Sequence, residues 1–152
     1  MRLEESIKQT TFKSEHHKML LNLIYTAGMI NAEQARFFKT YDLSPQQYNV
    51  LRILRGQYPN PASVGLVQER MLDQMSNASR LIEKLKLKKL LTRRACKNDR
   101  RQMDVVISED GLKLLKLIDT KFEDFEQKLC CITPSEANEL NRVLDKLAEN
   151  AI

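Results

Sequence analysis

The stretch LTRRACKNDRRQMDVVIS, Leu91 to Ser108, decides the fold. Its two arms alternate: Leu91, Arg93 and Ala95 oppose Thr92 and Arg94, then Met103, Val105 and Ile107 oppose Asp104 and Val106. Alternation with period two marks half-buried β-strands, because successive side chains leave opposite faces of the pleat. The residues between the arms, KNDRRQ from Lys97 to Gln102, are too polar to be core. The stretch therefore reads as a β-hairpin with a cationic tip.

Upstream of the hairpin the pattern is helical. LSPQQYNVLRIL places Ser44 as N-cap, Pro45 at the first helical position and Gln47 three residues after the cap, a capping box. Tyr48, Leu51 and Leu54, three apart, face inward. Gly56, Pro59 and Pro61 end that helix and turn the chain. Val64, Val67, Met71 and Leu72 then recur at helical spacing, until Asp73, Ser76 and Asn77 interrupt with residues that favour turns and caps. A third helix over NASRLIEKLKLKKL turns Leu81, Ile82 and Leu85 inward. Two helices joined by a short polar turn are a helix-turn-helix, and a basic hairpin directly after them makes it a winged helix-turn-helix, here about residues 43–111.

The flanks are helical as well. Ser14 to Lys39 reads as one or two helices with Leu20, Leu21, Leu23, Ile24 and Ala27 on the apolar face. Ser108 caps a long helix with Glu109 and Asp110 in its first turn, where acidic groups complement the helix dipole. Its apolar residues Leu115, Ile118, Phe122, Phe125 and Leu129 step by three and four. Thr133, Pro134 and Glu136 open the last helix, whose stripe is Ala137, Leu140, Leu144, Leu147 and Ala151. Beyond a complete winged domain these stripes have little else to pack against, which predicts a homodimer interface at Leu115, Ile118, Phe122, Leu140, Leu144 and Leu147. The expected fold class is mainly α with a small β-hairpin wing. The expected organisation is a single domain, 1–152, whose parts at about 1–40 and 112–152 are dimerisation helices.

Composition narrows the function classes. At 152 residues, with 42% hydrophobic and 30% charged residues, the chain can bury one core and falls outside the disordered class. The most apolar run, Met19 to Ala32, is interrupted by Asn22 and Thr26 and falls short of the roughly 20 residues that a membrane span needs. The first 17 residues carry charges throughout and contain no signal-peptide core, so a cytoplasmic protein is expected. Cys96, Cys130 and Cys131 lack CxxC spacing, which argues against a disulfide framework or zinc ribbon. No metal or cofactor is expected, since His16 and His17 are adjacent and point in different directions on a helix. Nor is an enzyme, because no P-loop, GxGxxG, GxSxG or HExxH occurs.

Charge is concentrated rather than spread. Ser76 to Arg101 holds ten basic residues against Glu83 and Asp99, a net of +8 in a chain whose total is +5, so the rest is acidic. Such a segment, coinciding with a helix start and a hairpin, is the electrostatic footprint of a polyanion-binding surface.

The residues SNASRLIEKLKLKKLLTRR and NDRRQMDVVISEDG, in this order of elements, resemble the MarR family of bacterial transcriptional regulators. Asp99 and Arg101 look like the family's Asp-x-Arg wing motif, Leu85 to Leu90 like its helix-exit turn, and Ser108 and Gly111 like the cap and glycine that follow the second wing strand. The similarity is detailed over about Leu43 to Leu115 and departs at Lys89, where the family usually carries Gly at the helix exit. A left-handed residue there costs roughly 1 kcal/mol when it has a Cβ.

A helix entering the major groove needs polar side chains at its exposed start. Gln74, Ser76, Asn77 and Ser79 supply short polar groups, and Arg80 reaches a guanine edge or a phosphate; for Ser76 and Asn77, plain N-capping is an equally good reading. Arg100 or Arg101 suits the minor groove, whose negative potential attracts guanidinium. The resemblance implies that Asp99 holds a wing arginine or a neighbouring basic group in place. Lys84, on an outer face of the helix, is a further DNA-contact candidate, and Lys86, Lys88, Arg93, Arg94 and Lys97 are assigned to phosphates or long-range steering. The resulting expectation is a homodimeric, sequence-specific repressor on a near-palindromic double-stranded operator, relieved by a small-molecule effector of the kind the resemblance implies. Two alternatives stay open: a redox-sensing regulator using Cys130 or Cys131, and a winged-helix module for protein contacts that does not bind DNA.

Overall fold

The computed structural model describes residues 2–95, 103–127 and 131–151. The chain forms two compact units, Met1–Leu112 and Lys113–Ile152.

In the first unit a short helix α1 (Leu3–Ile7) leads to the long helix α2 (Glu15–Lys39), one continuous helix capped by Ser14, whose hydroxyl accepts the His17 N–H. An ion pair of 2.5 Å between Lys18 and Glu4 joins the two helices. It holds the Glu4 carboxyl below its ordinary range and raises the Lys18 ammonium. The apolar run of α2 is not a buried helix in the single chain. Met19, Leu20, Leu23, Ile24 and Met29 are exposed, and the buried residue of α2 is Phe38, near its C-terminus. Phe38 stacks on Tyr48 of α3 (Pro45–Gln57) with ring centroids 4.2 Å apart.

The capping box of α3 is present as the sequence predicts: the Ser44 hydroxyl accepts the Gln47 N–H at 3.1 Å, and the Gln47 side chain accepts the Ser44 N–H at 3.0 Å. Tyr48, Leu51 and Leu54 are buried together with Val50. A two-residue strand β1 (Ala62–Ser63) precedes α4 (Val64–Glu69), and α5 (Ala78–Leu87) follows after a turn. The strands β2 (Leu91–Ala95) and β3 (Met103–Ile107) pair antiparallel in the register Leu91 to Ile107 and Arg93 to Val105. β1 adds to the outer side of β3, Ala62 opposite Val105, so the sheet has three strands in the order β1-β3-β2. Leu91, Val105 and Ile107 are buried and Thr92 and Arg94 exposed, as the alternation requires.

Two expectations need correction here. Leu72 does not continue α4. The carboxamide oxygen of Asn49 takes the Leu72 N–H at 2.9 Å, the helix has already ended at Glu69, and the Leu72 side chain is 90% exposed. Leu81 is half-buried, and the fully buried residues of α5 are Ala78, Ile82 and Leu85.

The second unit holds most of α6 (Glu109–Gln127) and all of α7 (Pro134–Ala151). The Ser108 hydroxyl accepts the Gly111 N–H at 3.1 Å and starts α6. Thr133 and Glu136 form the capping box of α7, which holds the Glu136 carboxyl low. Phe122 and Phe125 stack at 5.2 Å. Among the described residues, no helix is long and apolar enough to cross a membrane.

Candidate nucleic-acid interface

The turn between α4 and α5 is built by Asp73, which the sequence pattern marks as a turn residue, and by Gln68, which it does not. Gln68, on α4, donates its amide to the carbonyls of Ser76 (2.9 Å) and Gln74 (3.3 Å), and its carboxamide oxygen accepts the Ala78 N–H at 3.0 Å. One half-buried glutamine thereby ties both ends of the turn to the first helix. Asp73 adds a local clamp, accepting the Met75 N–H at 3.1 Å and the Ser76 hydroxyl at 2.7 Å, which lowers its carboxyl below the usual range. Only the spacing of Gln68 to Ala78, a contact ten residues apart across a turn, marks its role, and single-sequence periodicity carries no such signal.

The predicted DNA-contact residues fall into three groups. Gln74, Ser76 and Asn77 have polar atoms engaged within the protein: Gln74 donates to the carbonyls of Met71 (2.7 Å) and Glu69 (3.3 Å), Ser76 donates to Asp73, and Asn77 is the N-cap of α5, accepting the Arg80 N–H at 2.9 Å. Ser79, Arg80 and Lys84 are exposed, on the side of α5 opposite its buried residues, and Arg94 is exposed on β2. Lys97, Asp99, Arg100 and Arg101, with Cys96, lie outside the described residues, as do Leu129 and Cys130.

Two cations assigned to phosphate have ion-pair partners within the protein. Arg93 pairs with Glu83 of α5, and Lys88 pairs with Asp42 at 2.9 Å and donates to its carbonyl. The first pair ties β2 to α5, and the second ties the C-cap of α5 to the turn between α2 and α3.

Lys89 sits at φ 61°, the left-handed conformation expected at the exit of α5. The Leu90 N–H reaches back to the Leu85 carbonyl at 3.1 Å, and the Ser108 hydroxyl donates to the Lys89 carbonyl at 2.7 Å. Gly111 packs so closely on this exit that a Cβ there would clash with the Leu90 carbonyl and lie 2.7 Å from Ile107 Cγ1. Helix exit, wing strand and the start of α6 are thus one locked junction.

The predicted dimer residues also separate. Leu115 and Ile118 are 0% exposed in the single chain and have no surface left for a partner, so the expectation that they form the interface is corrected. Their heptad-like spacing is equally that of a core, and burial alone tells the two apart. Phe122, Leu144 and Leu147 are half-buried, and Leu140 is 50% exposed. Cys131 is an exposed thiol.

A polar-clamped turn, a short amphipathic second helix and a three-stranded wing define a winged helix-turn-helix protein. Residues 41–102, which hold the helix-turn-helix, match the model of the MarR family. A MarR transcription factor from Planctomyces limnophilus is 29% identical, with a TM-score of 0.68 over 89% of this chain and 98% of that one. S. aureus MepR, solved as a complex with DNA, is 19% identical with a TM-score of 0.74 over 91% and 98%. The PcaV regulator of Streptomyces coelicolor, solved with its natural ligand, is 19% identical with a TM-score of 0.68 over 84% and 92%. No curated protein sequence matches the chain.

Proposed function

We propose that the protein is a homodimeric, sequence-specific DNA-binding transcription regulator, a repressor that a small-molecule effector releases from its operator. The observation that carries this reading is the two-faced α5: Ala78, Ile82 and Leu85 are fully buried while Ser79, Arg80 and Lys84 stand in solvent, inside a segment of net charge +8. A helix of that width fits the major groove, and its cations meet phosphates or guanine edges. Arg94, exposed on β2, adds to the positive surface, and Lys97, Arg100 and Arg101 follow it in the sequence as further proposed contacts. The DNA complex of MepR, which shares the fold, supports the same use of it here.

Dimerisation is supported by apolar surface that one chain leaves uncovered: Leu20, Leu23 and Ile24 on α2, and Leu140 and Val143 on α7. Two copies would present two α5 helices to half-sites about 34 Å apart on a near-palindrome. The ligand complex of PcaV supports an effector, which would act by preferring a dimer geometry whose helices miss that spacing.

The test is binding of the full chain to duplexes enriched from random sequence, followed by fluorescence anisotropy. Affinity falls steeply with added salt, and Arg80→Ala weakens binding while reducing the salt slope by about one unit if the contact is to phosphate, or relaxing sequence preference if it is to a base. Absence of duplex binding at low salt overturns the reading in favour of a protein-contact module.

A further inference from the structure

The turn that leads into α5 satisfies its polar groups internally and leaves its apolar ones outside. Met75, two residues before the N-cap Asn77, is 94% exposed. Its backbone is not loose: the Met75 N–H is held by Asp73, the carbonyls of Gln74 and Ser76 on either side are held by Gln68, and Gln74 and Ser76 point their own polar groups back into the turn. A large apolar side chain is therefore carried in water on a fixed support, at the end of α5 that enters the groove. Exposed apolar groups on rigid backbone gain free energy only when a partner covers them.

We infer that Met75 is a specificity-determining residue, reading the C5-methyl of a thymine in the major groove. Within that groove the thymine methyl is the apolar feature that distinguishes one base from the others. The occupant follows from the surroundings. Arg80 and Lys84 are exposed on the same helix and the segment is strongly cationic, which favours a polyanion over an apolar protein surface. The thioether is flexible and polarisable enough to settle against a methyl without a demanding fit. The inference reassigns base discrimination at this end of α5, from Gln74 and Ser76, whose polar atoms the turn engages, to their apolar neighbour.

It rests on the DNA-binding reading above, and the test separates the two. Duplexes enriched by the wild-type chain are resynthesised with deoxyuridine replacing one thymine at a time, which removes the methyl and nothing else. Wild type loses about fourfold in affinity at one thymine per half-site, the worth of burying a single methyl. Met75→Ala, which is too exposed to disturb folding and is checked by thermal unfolding, binds the thymine and deoxyuridine duplexes equally. Leu72→Ala, at the other exposed apolar residue of the turn, keeps the wild-type discrimination. If no thymine discriminates, or if Met75→Ala discriminates as wild type does, the inference is overturned while DNA binding stands; if no duplex is bound at low salt, both fall together.

Discussion

Arg93 on β2 and Glu83 on α5 form an ion pair that ties the first wing strand to the second helix of the helix-turn-helix. The Arg93 side chain is 21% exposed, and among the described residues its Nε is buried with no hydrogen-bond partner while its Nη1 meets the Glu83 carboxylate. Removing one partner of a part-buried pair leaves the other desolvated and uncompensated, which costs more than losing an ordinary surface pair. The pair fixes the first wing strand against the helix.

The bond with Arg93, assisted by Lys86, holds the Glu83 carboxyl below its ordinary value of 4.5. A depressed folded-state value means stability that is fully present above 4.5 and is lost as pH falls through the lower folded value. Glu83→Gln therefore unfolds at a lower temperature than wild type at pH 7. The gap closes as pH drops below 4.5, because protonation removes the same charge from the wild type. A gap independent of pH assigns the loss to packing instead.

Lys89 adopts φ 61° at a helix exit where glycine has no Cβ to strain. Lys89→Gly is expected to stabilise the fold by about 0.5–1 kcal/mol, or roughly 2–3 °C in melting temperature for a chain of this size. Thermal unfolding followed by circular dichroism checks it. No gain in melting temperature means that the lysine side chain makes up the strain through its own contacts.

Gly111→Ala is expected to do the reverse. The new Cβ meets the Leu90 carbonyl and Ile107 Cγ1, which are backbone and core rather than the end of a flexible side chain. Overpacking at such a junction costs about 2 kcal/mol or more, and chemical denaturation should show the midpoint falling without a change in slope. The glycine is required by proximity, not by its dihedral angles, since the described glycines include none at positive φ.

Leu140 is half-exposed on α7 and Leu144 half-buried beside it. Replacing both by Glu is expected to give monomers by light scattering and to weaken operator binding by far more than any one phosphate contact, since two half-sites would then be bound independently. A dimer that survives the double substitution moves the interface to the exposed stripe of α2. Leu20→Glu with Ile24→Glu then becomes the dissociating pair.

Much of this was legible along the chain. The alternation of Leu91 to Ile107, the capping boxes at Ser44 and Thr133 and the Ser108 cap are local: each follows from neighbouring residues, and backbone sterics or a single hydrogen bond enforces it. Strand β1 was not legible, because two residues cannot show a period and Ala62–Ser63 is a strand only by pairing with β3. Gln68 was invisible for a related reason, as its partners lie across a turn.

The sequence by itself determined the succession of helices and hairpin and the concentration of positive charge between Ser76 and Arg101, since propensity, capping and charge are properties of neighbours in the chain. Only the tertiary structure decided which residues of a given face are available to a partner. Leu115 and Leu140 carry the same apolar signal, yet one is fully buried and the other half-exposed; Arg93 and Arg94 are adjacent cations, yet one is paired with Glu83 and the other is exposed. The physical reason is that burial and ion pairing depend on groups distant in sequence, and a side chain already covered or neutralised within its own fold has little left to offer another molecule.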